Sequence, residues 1–265
     1  MLVNVKVQQA AQTLAQQYRS HQLYLLDDRL MPSDLEEAYL IQREFQTHIS
    51  EEQGSIAGYK LAYTTAASQE ANGVSEPCLG ILLEGNIHPS PSTLTADDFM
   101  QLGLECEVAV RLGSDLPASG APYDRGKVSE AVESLTAAFE IIDFRRTPDQ
   151  DPKVQFMTGV AANIFNAGVI MGDPVPSWRD LDLGAAYGSM TINGEVVGEG
   201  HGSDVMGHPL EPLAWLANKL AEQGFGLLAG MVIITGSIVS PKFVKPGDTA
   251  SIMIEGLGGA ELDVI

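Results

Sequence analysis

The chain has 265 residues, enough for one large domain, and 45% of them are hydrophobic, enough to build a core. Asp+Glu 35 against Lys+Arg 15 leaves a net charge of −20, a surface that repels nucleic acid and anionic membranes. Two cysteines, Cys78 and Cys106, give neither a disulfide framework nor a zinc spacing, no apolar run spans a bilayer, and the opening Met1-Leu2-Val3-Asn4 does not lead into a signal peptide. The expectation is a cytoplasmic enzyme that binds neither nucleic acid nor membrane.

Val7, Ala10, Ala11, Leu14 and Tyr18 recur at helical spacing and predict a helix over residues 5–20. A second helix is expected from Ser33, with Ser33 and Glu36 as a capping box. Leu35, Ala38, Tyr39, Gln42 and Phe45 lie on its apolar side, and Gly54 stops it. The two helices suggest an N-terminal layer over residues 1–55, ahead of a catalytic unit over 56–265. Residues 56–63 predict a strand that carries Lys60. A lysine there is either solvated or a proton-transfer group whose pKa burial lowers toward neutrality, with any nearby carboxylates opposing the shift. A loop and a short apolar strand follow over 73–83.

Residues 104–112 predict the strand around which the chain is organised. Leu104, Cys106, Val108, Val110 and Leu112 form one face; Glu105, Glu107, Ala109 and Arg111 form the other. Glu105 and Glu107 therefore point the same way, roughly 7 Å apart. Spacing alone leaves two readings open, a solvated strand face or a pair of oxygen ligands for a hard divalent cation. Glu140 adds weight to the second. It sits in the apolar run Ala138-Phe139-Glu140-Ile141-Ile142, where a carboxylate must be protonated, paired or metal-bound. Three converging carboxylates fit Mg²⁺ or Mn²⁺.

Residues 115–123, rich in Pro and Gly, predict a loop folding over the site. Helical character is expected over 128–135 and over 152–165. Asn193-Gly194 between two alternating runs predicts a hairpin with a type I′ turn over 188–200. The following Gly198-Glu199-Gly200-His201-Gly202-Ser203-Asp204 is either a plain loop or a cradle of backbone amides for a carboxylate. Its glycine spacing matches neither a dinucleotide fingerprint nor a P-loop. Pro209 is expected to open a helix with Trp215 in the core, ended by Gly224. A buried strand over 231–239, broken at Gly236-Ser237, and two closing strands over 249–255 and 260–264 complete an α+β chain.

Gly58-Tyr59-Lys60-Leu61, the Glu105-x-Glu107 strand, the Glu140-Ile-Ile-Asp-Phe-Arg145 strand and Gly207-His208-Pro209-Leu210 occur in one order along the chain. In this the chain resembles the 2-keto-4-pentenoate hydratase and 2-oxo-acid decarboxylase branch of the fumarylacetoacetate hydrolase superfamily, over nearly its whole length. The resemblance implies a β-rich roll with an N-terminal helical layer, and a homo-oligomer. It implies Glu105, Glu107 and Glu140 as ligands of Mg²⁺ or Mn²⁺, and Lys60 as the proton-transfer group. It further implies a small 2-oxo acid substrate, with Gly202, Ser203 and Asn163 as candidates to hold it. The implied activity is hydration of a 2-hydroxy-2,4-dienoate to a 4-hydroxy-2-oxo acid. Decarboxylation of a 2-oxo-3-enedioate would use the same ligands. Acylpyruvate C–C hydrolysis would want a His–Glu pair that neither His48 nor His88 supplies, and a purely binding homologue would have no use for carboxylates clustered around a lysine. The chain departs from the family pattern twice, with Cys78 where many hydratases carry an acid after Pro77, and with Ala162-Asn163 where many carry Asp-Asn.

Overall fold

The computed structural model describes residues 4–146 and 151–265. In chain order the elements are α1 (Val5–Arg19), α2 (Leu35–Gln53), β1 (Ile56–Ala62), α3 (Ala66–Asn72), β2 (Cys78–Leu83), β3 (Ile87–Pro89), β4 (Ser92–Leu94), β5 (Leu102–Leu112) and α4 (Arg125–Ala131). There follow β6 (Val132–Asp143), α5 (Pro152–Ala161), β7 (Asn166–Met171), β8 (Tyr187–Ile192), β9 (Glu195–His201), α6 (Glu211–Glu222), β10 (Val232–Phe243), β11 (Thr249–Ile254) and β12 (Gly258–Val264). A seven-stranded sheet runs β2-β1-β10-β5-β6-β7-β3 and curls into a half-barrel, while a five-stranded sheet runs β4-β12-β11-β8-β9. This is the expected α+β roll with helices at its periphery. Among the described residues no helix is long and apolar enough to cross a membrane.

The curl divides the apolar residues into two groups. The even-numbered series Leu104, Cys106, Val108, Val110 and Leu112 packs into the main core with the helices. The concave face holds a separate small cluster of Leu82, Ala109, Ala138, Val169, Val232 and Ile234. Cross-strand register puts Lys60 beside Ile234, Ile234 beside Ala109, and Glu140 beside Val169. Lys60, Glu105, Glu107 and Glu140 therefore share the concave face with this apolar floor, because strand partners direct their side chains to the same side.

Arg145 ties the helical layer to this sheet. It is buried, its Nε donates to Asp143 Oδ2 at 2.5 Å, and its Nη1 donates to the carbonyls of Gln17 and Tyr18 at 3.2 Å. The guanidinium thus adds a further donor to carbonyls at the end of α1 that also accept from Gln22 N and His21 N. Asp143 Oδ1 in turn accepts from Met100 N at 2.8 Å. Arg145→Ala is expected to cost about 3–5 kcal/mol, since it leaves the Asp143 carboxylate buried without its cation. Chemical denaturation at neutral pH measures this; a loss under about 1 kcal/mol would show that the pair is replaceable.

Several local expectations shift. The α2 cap is Asp34, whose side chain accepts from Glu37 N, rather than Ser33 with Glu36; aspartate caps as well as serine, and Glu37 then binds back to Ser33 N and to Lys6. The helix expected over 128–135 stops at Ala131, because Val132–Leu135 are drawn into the ladder with β5. The last helix starts at Glu211 with Pro212 in its first turn, after Leu210 N donates to His208 Nδ1, so Pro209 lies before it. Trp215 is only partly buried, beneath the Lys219 ammonium, whereas Trp178 is in the core. The 115–123 segment contains Leu116 in a short bridge and is otherwise loop and a single 3₁₀ turn. It leaves the far end of β5 and is held to α6 by Tyr123 N donating to Asn218 Oδ1, and Leu116 bridges to Leu227.

Candidate active site

Each site residue is placed by strand pairing. In β5 and β6, which run antiparallel, Glu105 lies directly opposite Glu140 and Glu107 opposite Ala138. One oxygen from each of Glu105, Glu107 and Glu140 lies within 4.8 Å of the others. Glu107 and Glu140 are fully buried, and Glu105 is partly exposed at the mouth. Like charges facing each other in a sheet oppose folding, so this arrangement needs compensation.

Part of it comes from the protein. Lys60, itself buried, places its Nζ 3.0 Å from Glu140 Oε1, and Asn166 Nδ2 donates to the same oxygen at 2.9 Å. Gly236 N donates to Glu107 Oε2 at 2.7 Å. The break expected at Gly236-Ser237 is a bulge inside β10, where the register to β5 slips between Ile234 and Ser237. Gly236 has φ 114, and a Cβ there would lie 2.0 Å from Thr64 Oγ1, so only glycine lets this amide reach the carboxylate. Gly80, the β2 partner of Lys60, has a similar role: a Cβ would come within 2.9 Å of the Lys60 stem.

The compensation is incomplete. Glu107 Oε1 and Glu140 Oε2 are buried with no hydrogen-bond partner among the described residues. Burial first, then the neighbouring Glu140, pushes the Glu105 carboxyl up to about 8; burial, Glu140 and Glu105 push Glu107 well above the usual range. For Lys60, burial lowers the pKa, but Glu140, Glu105 and Glu107 raise it and prevail. The ammonium is thus held charged in the metal-free protein, not drawn toward neutrality as the lysine's burial alone suggests. Two orphaned oxygens and a third carboxylate, all hard donors, fit a divalent cation such as Mg²⁺ that keeps open positions for substrate.

These shifts fix a pH dependence. A carboxyl whose pKa is higher in the folded state stabilises the fold below its ordinary pKa, near 4.5, and loses that contribution as pH rises through about 8. In a chelator the melting temperature is therefore expected to fall between about pH 5 and pH 8. Mg²⁺ needs the ionised carboxylates, so the stabilisation it brings should grow over the same interval. Thermal melts at several pH values with chelator and with Mg²⁺ test this; two parallel curves would exclude cation binding at the glutamates.

Residues 64–265 match the C-terminal domain of fumarylacetoacetate (FAA) hydrolase. The chain belongs to the fumarylacetoacetate hydrolase family. Among curated relatives it is 31% identical over 240 residues to 4-oxalocrotonate decarboxylase of Pseudomonas putida, covering 91% of this chain and 89% of the relative. It is 30% identical over 203 residues to 2-keto-4-pentenoate hydratase of Paraburkholderia phymatum, covering 77% and 76%. The solved structure of 4-oxalocrotonate decarboxylase from Pseudomonas putida G7, complexed with magnesium and adipate, superposes with TM-score 0.90 at 29% identity, covering 100% and 99%. The expected branch of the fumarylacetoacetate hydrolase superfamily is thus the one to which this chain is similar.

Within this family fold, three of the residues expected to hold substrate are engaged elsewhere. Gly202 N donates to Ala186 O at 3.0 Å and Ser203 N to Gly184 O at 2.8 Å, so these amides tie their loop to the turn before β8 and are not free for a carboxylate. Asn163 is buried; its Oδ1 accepts from Ile81 N at 2.7 Å and its Nδ2 donates to Ile81 O at 2.9 Å. It pins β2 next to Gly80, whose missing side chain leaves room for both Asn163 and the Lys60 stem. Asn163, Ile164 and Phe165 all adopt positive φ, at 61°, 51° and 59°. That left-handed run, uncommon for such residues, ends α5 early and turns the chain into β7, which delivers Asn166 to Glu140. Asn166, Gly236 and Gly80 do not stand out as site residues in the sequence, since an Asn and two glycines carry no periodic signal.

Proposed function

We propose that this chain is a divalent-metal-dependent lyase of small 2-oxo acids, hydrating a 2-hydroxy-2,4-dienoate to a 4-hydroxy-2-oxo acid. The observation that supports it is the cluster of Glu105, Glu107 and Glu140, with two orphaned buried oxygens and the Lys60 ammonium 3.0 Å from Glu140. Mg²⁺ held by the three glutamates, or Mn²⁺ with the same taste for oxygen, would supply Lewis-acid stabilisation of charge developing on the substrate's 2-oxygen. The protein supplies the rest. Lys60 Nζ, kept charged by its carboxylate neighbours, donates the proton that a substrate carbon gains in the enol-to-keto change. Glu140 and Asn166 hold that nitrogen in place. The apolar floor of Leu82, Ala109, Ala138, Val169, Val232 and Ile234 keeps water from beneath the reacting carbons.

Decarboxylation of a 2-oxo-3-enedioate is the second reading, and Cys78 favours it. Cys78 lies two residues before Gly80, the partner of Lys60, where a hydratase of this family would carry an acid. Burial pushes its thiol up to about 11, so it stays neutral near pH 7 and cannot act as a base on water. The protonation by Lys60 is common to both reactions. Turnover of dienoate and enedioate substrates by the Mg²⁺-loaded enzyme separates them: hydration of the dienoate supports the first reading, and loss of carbon dioxide from the enedioate without it supports the second. No turnover of either would overturn the proposal.

A further inference from the structure

Glu140 is given donors on one side only. Its Oε1 meets two of them, Lys60 Nζ at 3.0 Å and Asn166 Nδ2 at 2.9 Å. Its Oε2 is buried with no hydrogen-bond partner among the described residues. The two donors differ in kind. The Lys60 ammonium ends a flexible four-carbon stem and carries the proton that the proposed reaction uses. The Asn166 amide does not ionise and cannot give up its donor. Its short side chain is tied a second time, by Nδ2 to Gly168 O at 3.4 Å.

Asn166 reaches Glu140 only because β7 carries an extra residue. Ile141 pairs with Gly168 and Ile142 with Asn166, so Ala167 is left over between them. In an unbroken ladder Asn166 would stand opposite Asp143. That is the side away from the cluster, since Glu140 and Ile142 share one face of β6 and Asp143 the other. The bulge moves Asn166 to the Glu140 face. Gly168 permits it, with φ 151 and a position where a Cβ would lie 2.7 Å from Asn86 O. The chain enters the bulge through the left-handed run Asn163, Ile164 and Phe165. The Oδ1 of Asn166 is itself buried without a partner, which is destabilising and which an apolar residue would avoid. A bulge, a strained run and an unpaired amide oxygen thus accompany one donated hydrogen bond, and strain gathered in this way marks a role beyond packing.

We propose that Asn166 is a positioning residue that stands in for Lys60: it holds Glu140 Oε1, and so keeps Oε2 turned to the cation, while the lysine is without its proton. The inference rests on the metal-centre reading. With both donors in place the carboxylate is fixed twice over. When Lys60 passes one N–H proton to a substrate carbon, a neutral amine remains. Its hold on Oε1 is then weaker, because charge-assisted hydrogen bonds are roughly twice as strong as neutral ones. Without Asn166 the carboxylate is free at that moment to turn about its last bond and carry the ligand oxygen away.

A double-mutant cycle read as Mg²⁺ affinity by calorimetry tests this. Lys60→Met removes the lysine's donor permanently. Asn166→Leu keeps the volume and removes the amide. Alone, Asn166→Leu is expected to weaken Mg²⁺ binding by less than about fivefold, since Lys60 still holds Oε1. In the Lys60→Met background the same change should weaken it by about 10–100-fold, the usual worth of a group that orients a metal ligand. Equal losses in the two backgrounds, which a merely structural role predicts, would overturn the proposal, as would no loss in either. Melting curves in chelator show whether each variant is folded; where Asn166→Leu is not, Asn166→Ala goes through the same cycle and is judged by the same comparison. Wild type that binds no Mg²⁺ would overturn the metal-centre reading and the proposal with it, whereas equal losses overturn only the role of Asn166.

Discussion

Replacing Lys60 with methionine is expected to lower turnover by about 10²–10⁴-fold, the usual worth of a positioned proton donor. Methionine keeps the apolar stem that packs beside Gly80 and removes only the ammonium. Mg²⁺ affinity should not fall. An ammonium 3.0 Å from Glu140 Oε1 competes with a cation for the same carboxylates, so its loss leaves binding unchanged or tighter. Oxalate should also still bind. The metal-free variant should melt lower than wild type near pH 8, because Lys60 is the cation that offsets the three glutamates. Steady-state kinetics, calorimetry and melting curves together read these effects. Turnover within a few-fold of wild type would mean that another group moves the proton. Neither the neutral Cys78 nor Asn163, locked to Ile81, could do so.

Glu107→Gln should produce the opposite pattern. The amide keeps the shape and can still accept from Gly236 N, but it removes one of three charges that a divalent cation needs. Mg²⁺ affinity is expected to fall by more than about 100-fold, beyond the 10–100-fold typical of groups that merely orient ligands. The fold should not suffer. Glu107 is fully buried, its Oε1 has no hydrogen-bond partner, and its carboxyl is pushed well above the usual range. Replacing it by a neutral group therefore relieves repulsion in the metal-free protein. Near pH 8 in chelator, the variant should melt at or above the wild-type temperature, yet Mg²⁺ should no longer raise it. A variant that melts well below wild type in chelator, or still gains stability from Mg²⁺, would show that Glu107 is a structural residue and not a ligand.

Much of this protein follows from the chain alone, because the signals involved are local. Alternation along a strand is a property of covalent geometry, so the common direction of Glu105 and Glu107 and the burial of Cys106 are legible in nine residues. Asn193-Gly194 specifies its hairpin because only such residues accept positive φ at both turn positions, observed at 53° and 81°. Glu140 stands out because a carboxylate among Phe and Ile needs a reason to be there. What the tertiary structure decided is everything that depends on register and on long-range pairing. Register puts Glu140 across from Glu105, and a bulge in β10 aims the Gly236 amide at Glu107. A left-handed run at 163–165 brings in Asn166 and commits Asn163 to Ile81. The amides of Gly202 and Ser203 are free in a sequence and consumed in a folded loop. The charge state of Lys60 is the sharpest case. A buried lysine viewed singly should lose its proton, but three carboxylates assembled from two other strands hold it on. Proton affinity is a sum over neighbours, and the neighbours that count here are 45, 47 and 80 residues away along the chain.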